Sequence, residues 1–290
     1  MAQFSYAMAV LSSISYGAAD FLGGLATKRG SNLFAVVAFS QLTGLILVGL
    51  CLPFLPPSSP SGLDLAWGAA AGLAGGIGVG LLYRGLAIGM MSVVAPVTAV
   101  CAVIIPVAVG VAWGEQLTWP AGLGILLAIA AIVLISQSGH REEGRRATGR
   151  TTRRHTRGLL TAVASGVAIG IFLVCLERTG PNAGLWPLVP ARVVSVSLFV
   201  LAGLLTRRPL TPRRDAVPMV VGGGALDMVA NILYLFAVRE GPLSIVATLT
   251  SLYPAGTVIL ARIVLSERLS RLQQAGMACA GVAIVLIVTG

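Results

Sequence analysis

What limits this chain most is a succession of ten apolar stretches: Phe4 to Thr27, Leu33 to Leu55, Asp64 to Ile88, Met91 to Trp113, Leu117 to Ser136, Gly158 to Leu176, Ala183 to Leu205, Ala216 to Val238, Leu243 to Val264 and Leu272 to Thr289. Each approaches or exceeds the roughly 20 residues a helix needs to cross the hydrocarbon core of a bilayer. Lipid offers no water to an unpaired amide, so runs of this length can cross only as helices. The joints are short and carry breakers, among them Pro53, Pro56, Pro57, Pro60, Pro181, Pro209, Pro212 and Gly241-Pro242. The expected fold class is an all-α membrane protein with ten transmembrane helices. Only 10% of the 290 residues are charged, against about a quarter in soluble domains, too few to cover a water-facing surface. The first run lacks the positive flank of a signal peptide and is too long for one, so it is expected to be a retained span.

One segment breaks the pattern. His140 to Arg157 holds seven arginines, two glutamates and no aromatic residue. It divides the chain into an N-terminal five-helix repeat (1–139), a basic linker loop (140–157) and a C-terminal five-helix repeat (158–290). Phe21, Leu22 and Leu25 recur 151 residues on as Phe172, Leu173 and Leu176, and Tyr83 recurs as Tyr234. After the turn that follows span three the offset is 152, and Gly89, Ser92, Glu115 and Gly124 recur as Gly241, Ser244, Glu267 and Gly276. A tyrosine, a serine and a glutamate kept in register are harder to attribute to chance than apolar matches. Five is odd, so consecutive copies cross in opposite senses, giving two inverted five-helix repeats with a site expected near the midplane between them.

Of the 20 basic residues, 15 lie in loops on one side: Lys28, Arg29, the seven linker arginines, Arg207, Arg208, Arg213, Arg214, Arg268 and Arg271. The positive-inside rule places that side in the cytoplasm and both termini outside. Trp67, Trp113, Trp119 and Trp186 all fall at span ends on the opposite side, as interface anchors do. The net charge of +10 is thereby a statement about topology. Without interleaved aromatic residues the linker reads as a loop on anionic lipid, and no nucleic-acid partner is expected.

The charges left inside spans are the site candidates. Arg84 and Arg262 lie near span ends, where a long stem reaches water. Arg192 and Asp227 lie near the middle of their spans, and Asp20 has too short a stem to reach out. Each needs a partner or a wet cavity; an ion pair of Arg192 with one of the aspartates is the structural alternative to a role toward substrate. On span eight Gly224, Asp227, Asn231 and Tyr234 share one helical face, whose equivalents on span three are Gly76, Gly80 and Tyr83. Gly68, Gly72, Gly76 and Gly80 form a doubled small-residue motif suited to close helix packing. Glu115 and Glu267 close spans four and nine and suit a structural role, bonding amides at the next helix start, or a gate. Pro96, Pro106 and Pro254 interrupt these two spans, freeing carbonyls that kink, hinge or line a site. The four cysteines, Cys51, Cys101, Cys175 and Cys279, lie unpaired in apolar runs and suggest packing.

Enzyme signatures are missing from the sequence. The two histidines, His140 and His155, both sit in the linker, there is no GxSxG, and the sole lysine, Lys28, lies in no phosphate-binding loop. No cofactor, metal or catalytic residue is expected. The ten-span layout, Glu115 and Glu267, the segment Gly241-Pro242-Leu243-Ser244 leading to Ser251-Leu252-Tyr253-Pro254, and the glycines Gly124 and Gly276 resemble the EamA-type transporters of the drug/metabolite transporter superfamily. The resemblance covers the chain outside the linker. It implies a monomer-capable carrier with a cavity lined by spans one, three, four, six, eight and nine, working by alternating access, with both termini cytoplasmic, the reverse of the arginine argument.

The expectation is a multi-pass secondary transporter of the inner (plasma) membrane that moves a small amino acid-like or drug-like metabolite, as an exporter. Asp227, Asn231, Tyr234, Tyr83 and Tyr253 are expected to contact substrate, Arg192 to balance an aspartate or an anionic substrate group, and Asp20 or Asp227 to carry a coupled proton. Glu115, Glu267, Pro106 and Pro254 are expected in structural or gating roles. The other classes open to such a chain are an intramembrane enzyme and a non-transporting membrane receptor.

Overall fold

A computed structural model describes residues 2–88, 91–136, 149–265 and 271–289. Among them every α or β element is an α-helix: α1 (Ala2–Lys28), α2 (Leu33–Cys51), α3 (Gly62–Ile88), α4 (Met91–Ala112), α5 (Trp119–Ser136), α6 (Gly149–Glu177), α7 (Leu188–Leu205), α8 (Val217–Glu240), α9 (Leu243–Thr250), α10 (Tyr253–Leu265) and α11 (Arg271–Thr289). Six of these segments are long and apolar enough to cross a membrane, Gln3–Lys28, Leu33–Phe54, Gly62–Gly85, Leu160–Glu177, Leu188–Leu205 and Arg214–Glu240. Val97–Ala112, Trp119–Leu134 and Gln274–Thr289 are shorter apolar helices.

Local chemistry sets the ends. Gly30, at φ +89°, closes α1, and the Asn32 side chain accepts the Phe34 amide at 2.9 Å to start α2. Ser61 and Asp64 form a capping box on α3: Ser61 Oγ accepts the Asp64 amide at 3.1 Å and Asp64 Oδ2 accepts the Ser61 amide at 2.8 Å. The other oxygen of Asp64 accepts the Gly180 amide at 2.7 Å, so the cap of one half also holds a joint of the other.

Two expectations need correcting. Helix α6 begins at Gly149, inside the segment read as a loop, because arginine and threonine can occupy a helix that projects beyond the apolar run. The ninth stretch is two helices, α9 and α10, broken at Ser251-Leu252. Pro254 has no N–H to return to the Thr250 carbonyl, so α9 stops there and the proline sits in the first turn of α10, where it is tolerated. Pro106, by contrast, lies inside an unbroken α4.

The extensive helix contacts run between halves. α1 packs on α8 and α3 on α6; α3 packs on α7 and α2 on α8; α4 packs on α6, and α1 on α9 and α10; α5 packs on α11 and α2 on α7. Exchanging the halves returns the same set of pairs. Close approach comes from small residues. Gly68, Gly72, Gly76 and Gly80 of α3 meet Pro187, Ala191, Ser195 and Phe199 of α7, the same four-residue step on both helices. A Cβ on Gly72 would overlap the Ala191 carbonyl. Buried serines stitch the remainder: Ser5 and Ser12 of α1 donate to the Ala237 and Ala230 carbonyls of α8 at 2.7 and 2.8 Å, and Ser165 of α6 donates to the Gly78 carbonyl of α3 at 2.7 Å.

At the tryptophan-bearing end the Arg178 guanidinium lies 4.3 Å from the Trp113 ring centroid and 6.0 Å from that of Trp67. Trp119 stands 83% exposed there, as a side chain meant for an interface does. Arg84 is exposed at the other end of α3. Cys175 is buried, and Cys51, Cys101 and Cys279 are partly buried; all four are free.

Candidate functional site

Where the halves meet, a cleft encloses about 740 Å³, its open mouth included. It is lined from α1 (Tyr16, Asp20), α2 (Gln41), α3 (Gly72, Gly76), α6 (Phe172), α7 (Arg192, Ser195), α8 (Asp227, Asn231) and the α9–α10 break (Thr250, Ser251, Tyr253). The expected lining is corrected in two places. Among the described residues α4 contributes nothing to the wall, and α2 and α7, packed on each other at the centre, contribute the most polar part of it.

Arg192 is 6% exposed, and its neighbours account for it. Its Nη2 lies 2.7 Å from Asp227 Oδ2 as an ion pair, with the N–H not aligned on that oxygen, and its Nη1 donates to Gln41 Oε1. Ser195 Oγ lies 3.1 Å from both Gln41 Oε1 and the Arg192 carbonyl. A guanidinium this deep is tolerated because Asp227 matches its charge and Gln41 accepts from Nη1, while Nε and Nη2 have no hydrogen-bond partner. Gln41 and Arg192 are 151 residues apart, the repeat offset, so they are equivalent positions that meet each other where α2 and α7 cross.

The other expected residues divide. Asp227, Asn231, Tyr253, Arg192 and Asp20 line the cavity. Asn231 Nδ2 donates to the Asp227 carbonyl at 2.6 Å, which leaves its Oδ1 buried without a partner. Tyr83 and Tyr234, also expected to contact substrate, are not among the residues that line it. Tyr234 is fully buried with its hydroxyl donating to the Leu173 carbonyl at 3.0 Å, and the Tyr83 ring fills the space over Gly23. Leu22, beside Gly23, and Leu173 are themselves repeat equivalents, so the two tyrosines brace the third helix of each half against its first.

Glu115 caps a helix of the other half. Its carboxylate accepts the Leu243 and Ser244 amides at 2.5 and 3.0 Å, where α9 begins, and not at α5, the next helix in sequence. Negative charge is favoured there, at the positive end of the helix dipole. Glu267 and residues 140–148 of the linker lie outside the described residues.

Gln41, Ser195, Tyr16, Phe172 and Thr250 line the cavity without having been singled out from sequence. One signal was available for Gln41: an amide inside a run of apolar residues, one repeat length before Arg192.

The EamA-like transporter family pattern matches residues 3–137 and again 156–289, once for each half. No curated protein matches the chain. One solved crystal structure superposes with a TM-score of 0.74 at 16% identity, over 96% of this chain and 97% of the other. At that identity the likeness establishes a shared fold. With the family pattern spanning nearly its whole length and its apolar helices packed half against half, the chain is a multi-pass membrane protein belonging to the EamA-like transporter family, within the drug/metabolite transporter superfamily.

Proposed function

We propose that the chain crosses the inner (plasma) membrane ten times as two inverted repeats and works as a secondary transporter, exporting a small metabolite by alternating access around the cavity. The observation that carries the reading is the cavity itself: it lies where the halves meet, and its wall holds Asp20, Arg192 and Asp227 in an otherwise apolar bundle. Ionisable groups at such depth mark a substrate or ion path by default. The exchange symmetry of the helix contacts supports it further, because a structure built from two interleaved copies has two related arrangements of the same interfaces.

Glu115 has a mechanical part in this proposal. Its two bonds to the start of α9 tie the halves together at the tryptophan-bearing face, and opening that face requires breaking them. The break between α9 and α10 places Thr250, Ser251 and Tyr253 against the cavity, so movement of α9 reaches the site directly.

The test needs no substrate. In a variant with the four native cysteines replaced, Ser251→Cys is exposed to a membrane-impermeant thiol reagent from either side of oriented vesicles. Modification from both sides is expected. Modification from one side only, under every condition of pH and temperature at which the protein stays folded, contradicts alternating access.

A further inference from the structure

We infer that Asp215, just before α8, pairs with Arg29 in the α1–α2 turn to seal the linker face when the tryptophan-bearing face opens. The pair is the counterpart of the bond by which Asp64 now holds Gly180. The inference rests on the reading of the chain as an alternating-access carrier and adds which residues close its second face.

The repeat supplies the first argument. Asp64 and Asp215 are 151 residues apart, the offset of the repeat, and so are Arg29 and Gly180, and Ser31 and Asn182. At the tryptophan-bearing face the segment around the start of α3 in one half is bonded to the α6–α7 turn of the other. The Gly180 amide donates to Asp64 Oδ1 at 2.7 Å, and the Ser59 amide donates to the Asn182 carbonyl at 3.0 Å. At the linker face the same two segments, with the halves exchanged, are the one around the start of α8 and the α1–α2 turn. There neither bond is made. The Arg29 amide turns back to the Leu25 carbonyl at 3.0 Å, and Asp215 Oδ1 takes the Arg213 Nε at 3.2 Å. The Leu210 amide, counterpart of that of Ser59, does not donate to the Ser31 carbonyl. Ser31 itself is 6% exposed, with its Oγ unpaired. One face is fastened and the equivalent face is not, the difference expected of a two-copy structure resting in one of two related arrangements.

The second argument is geometry. The two segments of the linker face already meet: the Arg213 guanidinium stands 3.9 Å from where a Cβ on Gly30 would lie, and Arg29 Nη1 lies 3.7 Å from Met219 Sδ. A thioether is a weak acceptor. Met219 lies four residues beyond Asp215, about one helical turn, and Arg29 is close enough to act on the Asp215 charge. Asp64 is fixed, because Ser61 donates to its Oδ2 from both amide and hydroxyl, at 2.8 and 2.7 Å. The counterpart of Ser61 is Pro212, which has neither donor, so Asp215 is free to change partner. Where Gly180 offers only an amide, Arg29 brings a guanidinium, and its longer reach replaces the fixed cap.

Charge is the third. Closing the linker face draws Lys28 and Arg29 of one half toward Arg207, Arg208, Arg213 and Arg214 of the other. Among the described residues Asp215 is the one carboxylate at that face. Without it, closure only brings like charges together; with it, the approach of Arg29 is attractive.

The test uses Ser251→Cys, with the four native cysteines replaced, in oriented vesicles, and reads its modification rates from the two sides. Asp215→Asn is expected to lower modification from the tryptophan-bearing side about twofold to fivefold, the population change an exposed ion pair supports. The effect is expected to vanish in 1 M salt, where the Debye length is about 3 Å. Asp64→Ala is expected to raise modification from that side. Arg29→Asp and Asp215→Arg are each expected to lower it, and together to restore it. An unchanged rate in Asp215→Asn, a shift in the sense of Asp64→Ala, an effect that persists in 1 M salt, or no restoration by the exchange overturns the inference. A disulfide between Arg29→Cys and Asp215→Cys, in the same background without Ser251→Cys, separates it from the reading beneath it. Glu115→Ala, which unlocks the other face, is expected to speed formation of that disulfide severalfold. Two-sided modification of Ser251→Cys with no such acceleration refutes the pair and leaves alternating access standing, whereas acceleration with one-sided modification throughout does the reverse.

Discussion

Gly76 and Gly80 on α3 occupy the positions that Asp227 and Asn231 hold on α8, and Gln41 on α2 the position that Arg192 holds on α7. Thr98 of α4 and Thr250 of α9 are equivalent as well; Thr98 Oγ1 donates to the Ala162 carbonyl at 3.2 Å, whereas Thr250 Oγ1 has no partner and faces the cavity. The residue equivalent to Pro254 is Ala102, and α4 runs unbroken through it while the other half divides into α9 and α10. The two halves thus share their pattern of helix packing and differ in the side chains around the cavity and in the break between α9 and α10. Backbone symmetry supplies two related arrangements of the interfaces, and side-chain asymmetry supplies a site that faces one ligand in one orientation. The C-terminal half carries Arg192, Asp227, Asn231 and the break; the N-terminal half contributes Asp20, Gln41 and the small residues that make room.

If the C-terminal charges are held by their partners, removing Arg192 must cost more than removing its equivalent. Arg192→Ala leaves Asp227 partly buried and unpaired and is expected to cost about 3–5 kcal/mol. Gln41→Ala is expected to cost about 1.5–3 kcal/mol, the range for a hydrogen bond to a charged group. Denaturant unfolding in detergent reads both, and equal losses would break the comparison.

The shared packing is probed next. Gly72→Ala pushes a methyl into the Ala191 carbonyl and is expected to destabilise by about 1–3 kcal/mol. Gly122→Ala on α5, which has no neighbour within 4 Å, is expected to be neutral or to gain up to about 1 kcal/mol from helix propensity. Glu115→Ala, which uncaps α9, is expected to cost about 1–2 kcal/mol, less than Arg192→Ala because solvent replaces part of the cap. The smallest loss is expected for Ser12→Ala, which removes one bond from α1 to α8: about 0.6 kcal/mol, typical for such a contact between membrane helices. Thermal melts of these variants in one detergent rank them, and a Ser12 loss as large as the Glu115 loss would show that the lock is no stronger than an ordinary stitch.

The repeat was legible because tyrosine, serine and glutamate are rare in apolar helices, so keeping them in register is informative. The cavity positions of Asp20, Arg192, Asp227 and Asn231 were legible for a related reason: charge and amide groups in a span must face protein or water. Tyr83 and Tyr234 escaped that logic because a tyrosine needs only one acceptor, and the Leu173 carbonyl that satisfies Tyr234 belongs to a neighbouring helix whose placement no local pattern announces. Gln41 escaped it because its span carries no charge to mark a polar face as Asp227 marks that of Asn231, and Glu115 because its partner amides, at Leu243 and Ser244, are in the other half of the chain.

The central claim, two copies moving against each other about one cavity, is tested most directly by paired spin-label distances across the halves. One pair joins Gln116 and Glu240, both exposed, at the face locked by Glu115; the other joins Arg29 and Arg208, also exposed, at the opposite face. Glu115→Ala is the perturbation. The account predicts that it lengthens the Gln116–Glu240 distance and shortens the Arg29–Arg208 distance in the same sample. Distances that stay fixed at both faces, or move in the same sense at both, would contradict it.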